Sequence, residues 1–183
     1  MTVIGIDPGA SGAIVTITET RQVFAIKMPN TYIGILNSIK NIKEGRENLI
    51  AYIERVGSFP SDKEDDRFMR MDALIKNQAA FIMALISEAV PFVVVSPVTW
   101  QKHHGLQNKK NEKLSYQLKK NRNRDLAEKY YPGINKYAAD ALLIAVFGLE
   151  NSQSDLFILD KAENYRNTYP QKQQKTWSKK SKV

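Results

Sequence analysis

The 183-residue sequence has no cysteine, only two histidines and no long apolar run. Without cysteine there are no disulfides and no thiolate metal sites, and a reducing cytoplasm is the expected compartment. Nothing approaches the ~18 consecutive apolar residues of a membrane-crossing helix, so no membrane partner is expected. Met1 leads almost directly into an apolar segment, with no basic region before it, so no secretory signal is expected. No Ser-His-Asp or Cys-His arrangement stands out. Gly5, Gly9 and Gly12 lack the spacing of a dinucleotide loop, and no nucleotide cofactor is expected.

What is present is basic charge, unevenly placed. Of the net +8, residues 102–129 carry +6 and residues 161–183 another +6, which leaves the rest of the chain at −4. Clustered basic charge suits a polyanion, most simply nucleic acid, although a solvated helix and a solubilising tail would show the same pattern.

With 43% hydrophobic residues the chain can build one domain with its own core. Thr2–Ile6 is an apolar strand stopped by Asp7-Pro8-Gly9, and Ala13–Thr18 and Val23–Met28 continue it as an antiparallel meander. Ile35, Leu36, Ile39 and Ile42 mark a helix within 31–48. Asn48–Val56 reads as a central strand, Met69–Val90 as a helix and Phe92–Val95 as another strand. Lys109–Tyr131 is expected to be a charged helix with a thin stripe of Leu114, Leu118 and Leu126. Lys136–Leu149 is a helix apolar almost all round, hence buried. The expected class is α/β: antiparallel opening strands, then parallel strands, flanked by helices. Residues 1–150 form the expected domain, and 151–183 a basic tail expected to be disordered.

Three acids stand in apolar settings. Asp7 ends the first strand, where a carboxylate is costly unless paired, hydrogen-bonded or metal-bound; Asp-Pro-Gly is also ordinary turn chemistry. Glu54 lies in Tyr52-Ile53-Glu54-Arg55-Val56, and Arg55, on the opposite strand face, is poorly placed to neutralise it. An ion pair with another element is the alternative. Asp140 sits within Ala138-Ala139-Asp140-Ala141-Leu142, where a salt bridge to Lys136 is the alternative. Should the three converge at one sheet edge, an oxygen-only set suits Mg²⁺ or Mn²⁺, and such ions assist phosphodiester hydrolysis. His103-His104 lacks spaced partners and is a poor metal motif, and Asp62, Glu64, Asp65 and Asp66 read as a solvated acidic loop.

These segments carry a family resemblance. Ile4-Gly5-Ile6-Asp7-Pro8-Gly9 resembles the opening motif of RuvC-type Holliday junction resolvases. Ile53-Glu54 resembles their second acidic motif, and 138–145 their C-terminal acidic helix. Pro97-Val98-Thr99-Trp100-Gln101-Lys102 followed by a lysine-rich segment is similar to the phage-encoded branch. The resemblance covers residues 1 to about 150. It implies an RNase H-like fold, a homodimer, branched DNA as partner and two Mg²⁺ or Mn²⁺ ions held by Asp7, Glu54 and Asp140 as catalytic ligands. The family's usual fourth ligand, about one turn before the last Asp, is replaced here by Asn135, Lys136 and Tyr137. Asn135 is then the candidate neutral ligand, and Lys136 or Tyr137 the candidate phosphate contact.

The expected function is a structure-selective, metal-dependent DNA endonuclease resolving four-way junctions. Candidate DNA contacts are Lys102, Lys109, Lys110, Lys113, Lys119, Lys120, Arg122 and Arg124. Trp100 is a candidate for stacking on a base, or for the core. The competing readings are a flap or relaxed-specificity nuclease, a branched-DNA binder without catalysis, and a fragment of an actin-like ATPase fold.

Overall fold

The computed structural model describes residues 1–56, 65–108 and 114–152, the side chains of 65–70 excepted. Met1–Ser152 forms a compact unit, so its last helix runs two residues past the expected boundary at 150. The basic tail lies outside the described residues. Among the described residues no helix is long and apolar enough to cross a membrane.

Five strands form one sheet: β1 (Thr2–Asp7), β2 (Ala13–Ile17), β3 (Val23–Lys27), β4 (Leu49–Glu54) and β5 (Phe92–Val95). Their order is β3-β2-β1-β4-β5. The first three pair antiparallel, as the short turns between them require, while β1–β4 and β4–β5 are parallel. The mixed sheet expected from the sequence is therefore present.

Side-chain alternation along the strands divides the sheet's two faces. Ile4 and Ile6 of β1, with Ala51 and Ile53 of β4, join the core formed by α1 (Tyr32–Lys43) and α2 (Asp65–Ser87). That core includes Ile35, Ile39, Phe81 and Leu85. Gly5 and Tyr52 belong to the other face, covered by a helix over 139–152 (α5). A Cβ on Gly5 would lie 2.2 Å from the Ala141 carbonyl oxygen, and one on Gly148 would lie 2.2 Å from the Tyr52 ring. Both glycines let helix backbone and sheet approach more closely than any side chain permits. The apolar run expected to be buried is so, from Ala138 to Phe147.

Three helical segments differ from the sequence reading. Pro97–His103, beyond β5, is a short helix (α3) that the sequence did not announce; Ser96 caps it by accepting from the Thr99 N–H, and Pro97 supplies a preset first turn. The charged helix, α4, spans Tyr116–Tyr130 with Ser115 as its cap, and 109–113 lie outside the described residues. Its buried side chains are Asn123 and Ala127, whereas Leu118 is 52% exposed and Leu114 and Leu126 are only half-buried, so the leucine stripe is not its most buried face. The expected helix from Lys136 opens as a 3-10 turn over Lys136–Ala138 before α5 begins.

Candidate active site

Strand alternation places Asp7 and Glu54 on the α5 side of the sheet. Asp7 follows Gly5 by two residues and Glu54 follows Tyr52 by two, so each shares its neighbour's face. The parallel register pairs Ile6 with Ile53, and Asp7 and Glu54 come next on adjacent strands. Asp140 stands one residue before Ala141, whose carbonyl sits over Gly5. Three acids remote in sequence thus reach the same end of the sheet.

Each carboxylate has its own support. Oδ1 of Asp7 accepts from the Gly9 N–H at 2.9 Å. A Cβ on Gly12 would fall 2.3 Å from the Asp7 carbonyl oxygen and 2.8 Å from its Cγ, so only glycine leaves room for this loop against Asp7. Oε1 of Glu54 accepts from the Trp100 indole N–H at 3.0 Å. Trp100 is only 1% exposed, so the base-stacking reading is corrected: its ring is in the core and its N–H orients an acid. From α2, Asn77 donates to the Pro8 carbonyl at 3.2 Å and Gln78 to the Glu54 carbonyl at 2.9 Å, tying down both strand ends.

Asp140 is buried, at 8% exposure, and both its oxygens are engaged from α4. The Lys120 ammonium pairs with Oδ2, and the Asn123 amide donates to Oδ1 at 2.8 Å. The salt bridge that the sequence left open is therefore made by Lys120 rather than Lys136. Glu54 likewise has an indole, not a cation, on its Oε1.

The acids influence one another. Burial, reinforced by Asp140, raises the Asp7 pKa against the opposing Gly9 hydrogen bond and Lys120. Burial, then the Asp7 charge, lifts Glu54 to about 7, opposed by the Trp100 hydrogen bond. Burial pulls Lys120 down, but Asp140, with Asp7 and Tyr116, outweighs it and holds the ammonium more firmly protonated than usual.

Among the described residues no group of three or more His, Cys, Asp or Glu forms a ready-made metal cage. The expectation that Asp7, Glu54 and Asp140 share divalent ions stays a proposal, and Asp140 is engaged by Lys120 and Asn123. The donor chemistry still fits a divalent cation. Asp7 and Glu54 offer oxygen alone, and burial, the main obstacle to their ionisation, is a cost that a bound cation would offset.

A cleft of about 400 Å³ opens beside Asp7 and Asp140. Lys120, Arg124, Lys136 and Tyr137, all candidate DNA or phosphate contacts, line it together with Tyr116, which the sequence did not single out. Asn135, the candidate fourth ligand, is exposed and does not line this cleft. The remaining cations diverge. Arg122 lines a separate hollow with His104 and Lys129, Lys119 is exposed outside both, and Lys102 is exposed on α3. Lys109, Lys110 and Lys113, like Asp62 and Glu64, lie outside the described residues, and so do the side chains of Asp65 and Asp66. His103 and His104 bind α3 to α5, through Glu150 at 2.6 Å and the Leu143 carbonyl at 2.8 Å.

Sheet order and flanking helices define the class: an RNase H-like fold. The particular likeness is to RuvC. T. thermophilus RuvC in complex with a Holliday junction substrate matches with a TM-score of 0.54 at 13% identity, over 85% of this chain and 96% of that one. A second structure of Thermus thermophilus RuvC gives 0.55 at 13% identity, over 84% and 96%. At this identity the likeness is one of fold. No family model matches the chain, and no curated protein matches it in sequence.

Proposed function

We propose that the chain is a RuvC-like nuclease that cuts branched DNA, with the four-way junction as its preferred substrate. One observation carries the reading: Asp7 and Asp140 line one cleft with Lys120, Arg124 and Lys136, and Glu54 ends the strand adjacent to Asp7. Isolated structural acids need no such company, and a phosphodiester needs both halves of it. The fold shared with a protein captured on a Holliday junction supports the choice of substrate.

Asp7 and Glu54 would hold Mg²⁺ or Mn²⁺, which when bound supplies Lewis acidity to the phosphoryl oxygens and lowers the pKa of attacking water. The other roles belong to the chain. Gly9 and Trp100 fix one oxygen each of Asp7 and Glu54, so the acids are oriented before substrate arrives. Lys120, Arg124 and Lys136 would hold the strand's phosphates, with Tyr137 beside them. A homodimer would present two such clefts to opposite strands of a junction.

A binder without catalysis is the second reading, favoured by Asp140 having both oxygens engaged. The deciding experiment compares matched four-way, flap and linear DNAs incubated with Mg²⁺ or Mn²⁺. Paired nicks in the four-way substrate support resolution, flap cutting alone narrows the substrate class, and binding without nicking under either metal selects the second reading.

A further inference from the structure

The Lys120–Asp140 pair bears on how many metal ions the site can take, and this inference rests on the nuclease reading above. Three carboxylates at one end of the sheet carry a formal charge of −3 when ionised, and the Lys120 ammonium reduces it to −2. One divalent cation balances that. A second would have to enter beside a lysine that is already in contact with Asp140.

The ammonium is not a loosely placed surface charge. Its side chain is 33% exposed and that of Asp140 10%, so the pair is largely withdrawn from water and from salt screening. Asn123, itself 7% exposed, occupies the other oxygen of Asp140 from the next turn of the same helix. Asp140 is thus clasped by two side chains of α4, whereas Asp7 and Glu54 are held by neutral donors, Gly9 and Trp100. Neutral hydrogen bonds orient a carboxylate without satisfying its charge. The unmet demand for positive charge falls on Asp7 and Glu54.

We infer that Lys120 is the resident second cation of this site. The chain takes one divalent ion, on Asp7 and Glu54, and the lysine supplies the positive charge at Asp140.

Manganese titration of the full chain, with free Mn²⁺ read by electron paramagnetic resonance, tests this without reference to cleavage. Wild type is expected to bind one Mn²⁺ per chain. Asp7→Asn should weaken that ion more than tenfold, and Asp140→Asn less than threefold. Lys120→Met, which keeps the stem and removes the charge, should admit a second ion. Two ions on wild type, equal losses in Asp7→Asn and Asp140→Asn, or a single ion in folded Lys120→Met would each overturn the inference while leaving the metal site in place. No Mn²⁺ bound by wild type at millimolar concentration would overturn the metal reading and this inference with it. Should Lys120→Met fail to fold by circular dichroism, the wild-type stoichiometry and the two aspartate variants decide alone.

Discussion

The indole N–H of Trp100 donates to Oε1 of Glu54 across 3.0 Å, from a ring only 1% exposed to solvent. A buried donor aimed at a carboxylate favours its charged form, and here it opposes the burial that pushes Glu54 up to about 7. Trp100→Phe keeps most of the packing and removes the donor. A hydrogen bond to a charged group is worth about 1.5 kcal/mol or more, equivalent to about one pH unit. The acid limb of the cleavage–pH profile should therefore move upward by about one unit, with DNA affinity at neutral pH unchanged. An unshifted profile would show that the indole does not set the ionisation of Glu54.

Glu54 also makes stability depend on pH in a defined direction. Its folded pKa, about 7, lies above the ordinary 4.5, so the folded state holds the proton more tightly. The associated stability is fully present below about pH 4.5 and is lost as pH rises through about 7. Burial drives Asp7 in the same direction. Without divalent ions, urea denaturation should find the protein less stable at pH 8 than at pH 5, with Glu54 contributing on the order of 2–3 kcal/mol. Glu54→Gln should remove the Glu54 share of that slope, leaving that of Asp7, and be more stable than wild type at pH 8. A slope unchanged by the substitution would place the responsible group elsewhere.

Gly12 tests the positioning of Asp7 without touching its carboxylate. An added Cβ would sit 2.3 Å from the Asp7 carbonyl oxygen and 2.8 Å from Cγ, so either the loop or the acid must shift. Overpacking of this kind costs about 1–3 kcal/mol. Gly12→Ala should fold, lose a few degrees of thermal stability and cut DNA at least tenfold more slowly. Full activity would mean the loop moves without carrying Asp7 along.

The split of basic residues between two faces predicts unequal effects on DNA binding. Arg124 and Lys136 line the cleft beside the acids, whereas Arg122 and Lys129 line the hollow near His104. Removing one phosphate-neutralising cation should reduce the log–log salt slope by about 0.9 for duplex DNA. Arg124→Gln with Lys136→Gln should flatten the slope by nearly two, and Arg122→Gln with Lys129→Gln by much less. The reverse order in fluorescence-anisotropy titrations would put the DNA on the other face.

The three acids were legible because a charge inside an apolar segment is conspicuous at the level of sequence, and β5 was legible because a short apolar run closed by Ser-Pro has few other readings. What supports the acids was not. Trp100 could stack on a base or fill the core, and only tertiary placement brings its N–H to Glu54. The Ser96-Pro97 start of α3 was a readable cap, but the helix is too short for periodicity to declare itself. On α4 the leucines suggested a packing face, yet Asn123 and Ala127 are buried because Asp140 draws Lys120 and Asn123 inward. That pairing spans 20 residues and two elements, and no local pattern encodes it.

Asp7 is where nuclease chemistry and mere DNA binding part most cleanly. Asp7→Asn keeps the size of the side chain and an oxygen able to accept from the Gly9 N–H, while removing the charge that would hold a metal. Four-way junction DNA should bind the variant about as tightly as wild type, while Mg²⁺- or Mn²⁺-supported nicking falls by at least a thousandfold. A variant that nicks the junction at the wild-type rate would contradict the assignment of this site.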